Sequence, residues 1–137
     1  MQITIKLEGV QNLEKLWAKK RKEIIDGGER VIKQHNQKIL QSAKSKIHHI
    51  SGETAASLKA EVVLKGQGVV VSRIGTLGGT KEEAIRANSL EYGHAAPGNA
   101  GGVKVVPPYP FMRPATEEDR LLFKKDMKNE IQRVIEK

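Results

Sequence analysis

The chain has 137 residues and a net charge of +8, from 24 Lys and Arg against 16 Asp and Glu, and it contains no cysteine. That length fits one domain able to bury about two thirds of its unfolded surface, and the absence of thiols excludes disulfides, thiolate catalysis and cysteine-ligated zinc. No apolar run approaches the roughly 20 residues of a membrane-spanning helix, and the first residues alternate instead of forming a charged start and an apolar block, so neither a membrane partner nor a signal peptide is expected.

Ile3, Ile5 and Leu7 alternate with Thr4, Lys6 and Glu8, which predicts a strand ended by Gly9. From Asn12, read as an N-cap, the residues Leu13, Leu16, Trp17, Ile24, Ile32, Ile39, Ala43 and Ile47 recur at helical spacing. They predict one long amphipathic helix. Asp26-Gly27-Gly28 is its weak point, since an interior glycine costs about 1 kcal/mol relative to alanine, and a kink or short break is expected there. Gly52 is read as the stop.

Residues 11–50 hold ten Lys/Arg against four Asp/Glu, so the basic charge is concentrated on this helix. Its basic surface comprises Lys19, Lys20, Arg21, Lys22, Lys33 and Lys38. Two readings stand side by side: a face turned to phosphates or an acidic partner, or a solvated helix face.

Leu58, Ala60, Val62 and Leu64 alternate with Lys59, Glu61, Val63 and Lys65, then Gly66-Gln67-Gly68 precedes a β-branched run to Ile74. A β-hairpin with a short glycine turn is predicted, forming with the first strand a sheet that the long helix covers. Residues 81–91 predict a short helix with Ala84, Ile85, Ala87 and Leu90 inward and Gly93 at its C-terminal end. Residues 94–109, rich in Gly, Ala and Pro, are expected to be a flexible loop. A last helix follows, with Pro114 in its first turn, Thr116 and Asp119 spaced like a capping box, and Leu121, Phe123, Met127, Ile131 and Val134 as its buried stripe.

The fold class expected is therefore α+β in a single domain, residues 1–137: a small, mostly antiparallel sheet packed by a long kinked N-terminal helix, a short helix and a C-terminal helix.

Chemistry is sparse. The histidines are His35, His48, His49 and His94, without an HExxH spacing or a carboxylate cluster, so no metal is expected. Gly75 is followed by Thr80-Lys81-Glu82, which lacks the second glycine and the hydroxyl of a phosphate-binding loop, and Gly66-Gln67-Gly68 lacks the third glycine of a dinucleotide site. No serine stands in a nucleophile elbow. No catalytic residue and no cofactor are expected. For nucleic acid the expected strands carry no aromatic residue for stacking, which leaves non-specific, salt-dependent backbone binding through the basic helix as the alternative function.

The organising stretch is Leu90-Glu91-Tyr92-Gly93, a Gly/Pro-rich loop, then Pro108-Tyr109-Pro110-Phe111-Met112-Arg113-Pro114-Ala115 before the terminal helix. This arrangement resembles a family of bacteriophage head-to-tail joining, or tail-completion, proteins, and the order of elements agrees over nearly the whole chain. Where that family carries a Pro-x-Asp-Thr-Gly-like turn, this chain reads Ile50-Ser51-Gly52-Glu53-Thr54, without the proline.

The resemblance implies a structural protein of the virion neck or tail of a long-tailed phage or prophage, present in the host cytoplasm before assembly. It implies a homo-oligomer, a hexameric ring, that docks to phage neck and tail proteins and lies near DNA, without catalysis. The assembly candidates are Glu91, Tyr92, Gly93, Pro110, Phe111, Met112, Arg113 and Pro114. Phe111 and Met112 either anchor the last helix to the core or plug a neighbouring subunit. Arg113 either pairs with Glu91 or reaches a partner's carboxylate.

Overall fold

The computed structural model describes residues 2, 4, 6, 8–47 and 52–137. The expected first strand rests on Ile3, Ile5 and Leu7, and with His48 and His49 it lies outside the described residues. Helix α1 spans Val10–Lys46, 37 residues, or about 55 Å at the α-helical rise. It starts from Gly9 at φ +85°, three residues before the expected Asn12 cap. It ends at Ile47, so Gly52 does not stop it; Gly52 instead opens the short helix α2, Glu53–Ser57.

Helix α1 runs without interruption through Gly27 and Gly28, where a kink or break was expected. Both glycines are buried. A Cβ on Gly27 would fall 2.8 Å from Glu130 Cγ on the C-terminal helix, so the missing side chain admits a neighbouring helix. That neighbour is α4, Met112–Glu136. Lys46 pairs with Glu118, His35 with Asp119, and Arg30 with Glu130, so the two helices run antiparallel.

Between the long helices the described residues form two separate antiparallel hairpins, the first where a hairpin was expected and the second in the stretch expected to be a loop. The first is β1, Lys59–Gly66, with β2, Val69–Gly75. Gln67 and Gly68 have φ of +50° and +79°, the twist that a two-residue hairpin turn favours. A bulge lies between Val62 and Leu64 and shifts the register by one. Lys65 consequently reaches α1, 2.8 Å from Asp26 and in contact with Glu29, while Leu64 turns outward and is exposed, against the sequence alternation.

Helix α3, Lys81–Tyr92, begins with a capping box from Thr80 and Glu83. Ala87 faces inward as expected, but Ile85 is exposed. The second hairpin is β3, His94–Pro97, with β4, Val103–Val106, joined through a single 3-10 turn at Asn99–Gly101. The stretch expected to be a flexible loop is thus ordered as a strand pair. On α4 Leu121 is exposed, and Thr116 bonds back to the Met112 carbonyl, so no capping box forms there.

The core joins Ala43, Ile47, Leu58, Ala87, Phe111 and Ala115, with Phe111 only 1% exposed. It gathers the end of α1, the junction of α2 and β1 at Leu58, α3 and the start of α4 around one ring. Among the described residues no helix is long and apolar enough to cross a membrane.

Candidate functional site

The start of α4 is fixed by a residue of α3. The Glu91 carboxylate accepts the backbone N–H of Phe111 at 2.9 Å and of Met112 at 3.0 Å through Oε2, and that of Arg113 at 3.0 Å through Oε1. A helix start leaves such N–H groups without intrahelical partners and carries partial positive charge, so a carboxylate there satisfies both. Pro114, next in line, has no N–H to satisfy. Partial burial alone would raise the Glu91 pKa, but the three N–H donors and the charge of Arg113 outweigh it and hold the group below its ordinary range.

The clasp has further parts. The Tyr109 N–H donates to the Leu90 carbonyl at 2.7 Å. Gly93 turns the chain at φ +76°, and a Cβ there would fall 2.7 Å from the Val106 carbonyl oxygen and 3.0 Å from Pro108 N, so only glycine fits. Phe111 is buried in the core and Met112 packs beside it, which makes them anchors of this chain. Arg113 meets Glu91 through its backbone N–H.

Held at this base, β3 and β4 form an arm. Ala95 pairs with Val105 and Pro97 with Val103, so these four side chains share one face. All four are exposed, Val103 and Val105 at 76% each, and no polar side chain interrupts them. Tyr92 stands exposed at the arm's root. The structure therefore brings the assembly candidates Glu91, Tyr92, Gly93, Pro110, Phe111, Met112, Arg113 and Pro114 together around the arm's base. The apolar face itself is absent from the sequence expectation, although the Val-x-Val spacing at 103 and 105 was its signal.

The basic residues do not form one comparable face. Lys19 to Lys22 are consecutive and so point around most of the helix circumference. Lys20 Nζ caps the far end of α4, donating to the carbonyls of Val134, Ile135 and Lys137 at 2.9 to 3.2 Å. Lys33 pairs with Glu29 at 2.7 Å. Lys19, Arg21, Lys22 and Lys38 remain exposed.

Sequence reasoning also passed over a buried polar cluster. His35, 1% exposed, lies with Nδ1 2.7 Å from Asp119 and Nε2 2.8 Å from Asp126, its ring edge-on to Phe123 at 5.4 Å. Asp119 and Asp126 are seven residues apart, hence on one face of α4, which was the signal available. The cluster ties the long helices at mid-length. Among the described residues no group of three or more His, Asp or Glu side chains could hold a metal ion.

Comparison with known protein families, curated proteins and solved structures finds no match for this chain. The functional reading accordingly rests on the arm, its clasp and the sequence resemblance.

Proposed function

We propose that the protein is a structural component of the head–tail junction of a long-tailed bacteriophage or prophage. It acts by ring oligomerisation, as a hexameric ring, and by docking to neck or tail proteins, without catalysis. It resides in the virion neck or tail after passing through the host cytoplasm.

The observation that carries this reading is the bare apolar face of Ala95, Pro97, Val103 and Val105 on an arm clasped at its base. A closed ring needs a surface on each subunit that reaches a different surface on the next, and an uncovered apolar face of this kind marks an interaction site. The Pro110-Phe111-Met112-Arg113-Pro114-Ala115 motif of the resemblance is the segment that fixes the arm's root.

Sedimentation velocity over a wide concentration range, with particle imaging, tests it. The wild-type chain should assemble into rings alone or with neck and tail proteins, and the Val103→Gln/Val105→Gln variant should lose assembly while keeping its unfolding midpoint. A strict monomer that also fails to join those proteins overturns the reading.

A further inference from the structure

Away from the arm, the C-terminal half of α4 borders an open groove. One depression of about 320 Å³ lies between α1, β2 and α4, with Ile32, Ile39, Ile74 and Phe123 in its walls. A second, of about 500 Å³, is lined by α4 alone and runs along its side from the same Phe123 past Met127 and Ile131 to Ile135. Phe123 belongs to both, so the apolar floor is continuous. From Phe123 to Ile135 it follows α4 for about 18 Å, the length of a helix of three to four turns.

The groove has a cationic rim. Arg120, Lys124 and Lys128 follow one another at four-residue spacing, which places them on one side of α4. All three are exposed and have no ion-pair partner among the described residues. Of the carboxylates bordering the groove, Asp119 is taken by His35, and Glu136 stands at the far end, eight residues and about 12 Å of helix beyond Lys128. Like charges at this spacing disfavour the helix that carries them, so an acidic occupant would relieve a cost that the chain bears alone.

We infer that this groove docks an amphipathic helix of a protein partner, apolar on the face that enters and acidic along the edge that meets Arg120, Lys124 and Lys128. Apolar anchors in a groove would supply affinity, and the charged rim would set orientation and association rate. A second copy of this chain, at +8 overall, is an occupant that would show itself as a rim-dependent change of oligomeric state without any peptide. A bilayer surface is flat and takes up a protruding apolar face, whereas the Ile32, Ile39 and Ile74 part of this one lies between α1, β2 and α4. The inference goes beyond the proposed function and stands on the groove whether or not the protein joins phage heads to tails.

The test uses the full chain and a fluorescent synthetic helix of fourteen residues, with leucine at i, i+3, i+4 and i+7 spacing and glutamate on the flanks. A scrambled peptide of the same composition and a lysine-flanked version serve as controls, with binding read by anisotropy. The glutamate-flanked helix should bind roughly tenfold or more tightly than either control, and Arg120→Gln/Lys124→Gln/Lys128→Gln should lower its affinity at least tenfold. Those three positions are exposed, and circular dichroism should show the variant folded. Equal binding of the scrambled peptide, or unchanged binding by the variant, overturns the inference. So does rim-dependent capture by vesicles of phosphatidylcholine and phosphatidylglycerol, or a change in the variant's oligomeric state without any peptide.

Discussion

Glu91 Oε2 accepts the backbone N–H of Phe111 at 2.9 Å, so the last turn of α3 caps a helix that starts 20 residues later in the chain. The arm grows out of the intervening segment, and its direction is set where these two residues meet. Glu91→Ala leaves three N–H groups with solvent as their only other partner and should cost about 1–2 kcal/mol, the usual loss when a cap is removed. Glu91→Gln, which keeps an accepting oxygen, should cost less. Urea unfolding of the three proteins checks the order, and equal stabilities would show that the clasp contributes nothing.

The same carboxylate predicts acid behaviour. Its pKa in the folded chain lies below the ordinary glutamate value of 4.5, because the N–H donors and Arg113 outweigh the opposing effect of burial. A depressed folded-state pKa gives stability that is full above the unfolded value and is lost as the pH falls through the folded one. Glu29, held at about 2 by hydrogen bonds from Lys33 and Lys65 against some desolvation, titrates in the same window. Glu130, held at about 2 by Arg133 and Arg30, does likewise. Wild-type urea midpoints should therefore fall as the pH drops from about 4.5 towards about 2, and Glu91→Gln should fall less steeply over the upper part of that range. Parallel curves would contradict the role given to Glu91.

The elements the sequence made legible are those whose signal is local. The long helix follows from the spacing of Ile24, Ile32, Ile39 and Ala43, and the first hairpin from its alternation and its glycine turn. Leu64 was misplaced because the bulge between Val62 and Leu64 turns it outward and sends Lys65 to Asp26 and Glu29 on α1, partners far away in the chain. The second hairpin was only half legible: Val103 to Val106 has strand character, but Ala95 to Gly102 has little, and the pairing is set where the clasp and the turn at Gly93 hold the two ends. At the candidate site the meeting of Glu91 with Arg113 was legible. The donor that matters on Arg113 was not, since a backbone N–H leaves no mark on side-chain identity.

The two interior glycines of α1 offer a test with opposite signs. A Cβ on Gly27 would meet Glu130, whose Oε1 is fixed by Arg30 at 3.0 Å and Arg133 at 2.7 Å, so the side chain cannot swing aside without losing both. Gly27→Ala should therefore destabilise by about 1–3 kcal/mol, as an overpacked contact does. At Gly28 the added methyl would rest 3.7 Å from Met127 Sδ, an ordinary contact. Gly28→Ala should stabilise by up to about 1 kcal/mol through helix propensity. Thermal unfolding of both variants distinguishes this from a flexible break, for which both alanines would shift the midpoint in the same direction.

His35 gives the last prediction, because its two carboxylates sit in different surroundings. Each ring nitrogen faces one carboxylate, Nδ1 that of Asp119 at 2.7 Å and Nε2 that of Asp126 at 2.8 Å, so the ring bridges the two. The Asp119 side chain is 8% exposed and that of Asp126 is 43% exposed. Removing the buried partner leaves the ring without its short Nδ1 contact in a place water hardly reaches. Asp119→Ala should therefore cost about 1–3 kcal/mol, the range for a buried polar group left without its partner. Asp126→Ala removes a contact that solvent can replace and should cost about 1 kcal/mol or less. Guanidinium unfolding of the two variants measures the difference, and an Asp126 effect equal to that of Asp119 would mean that the helices are held at the exposed side of the cluster instead.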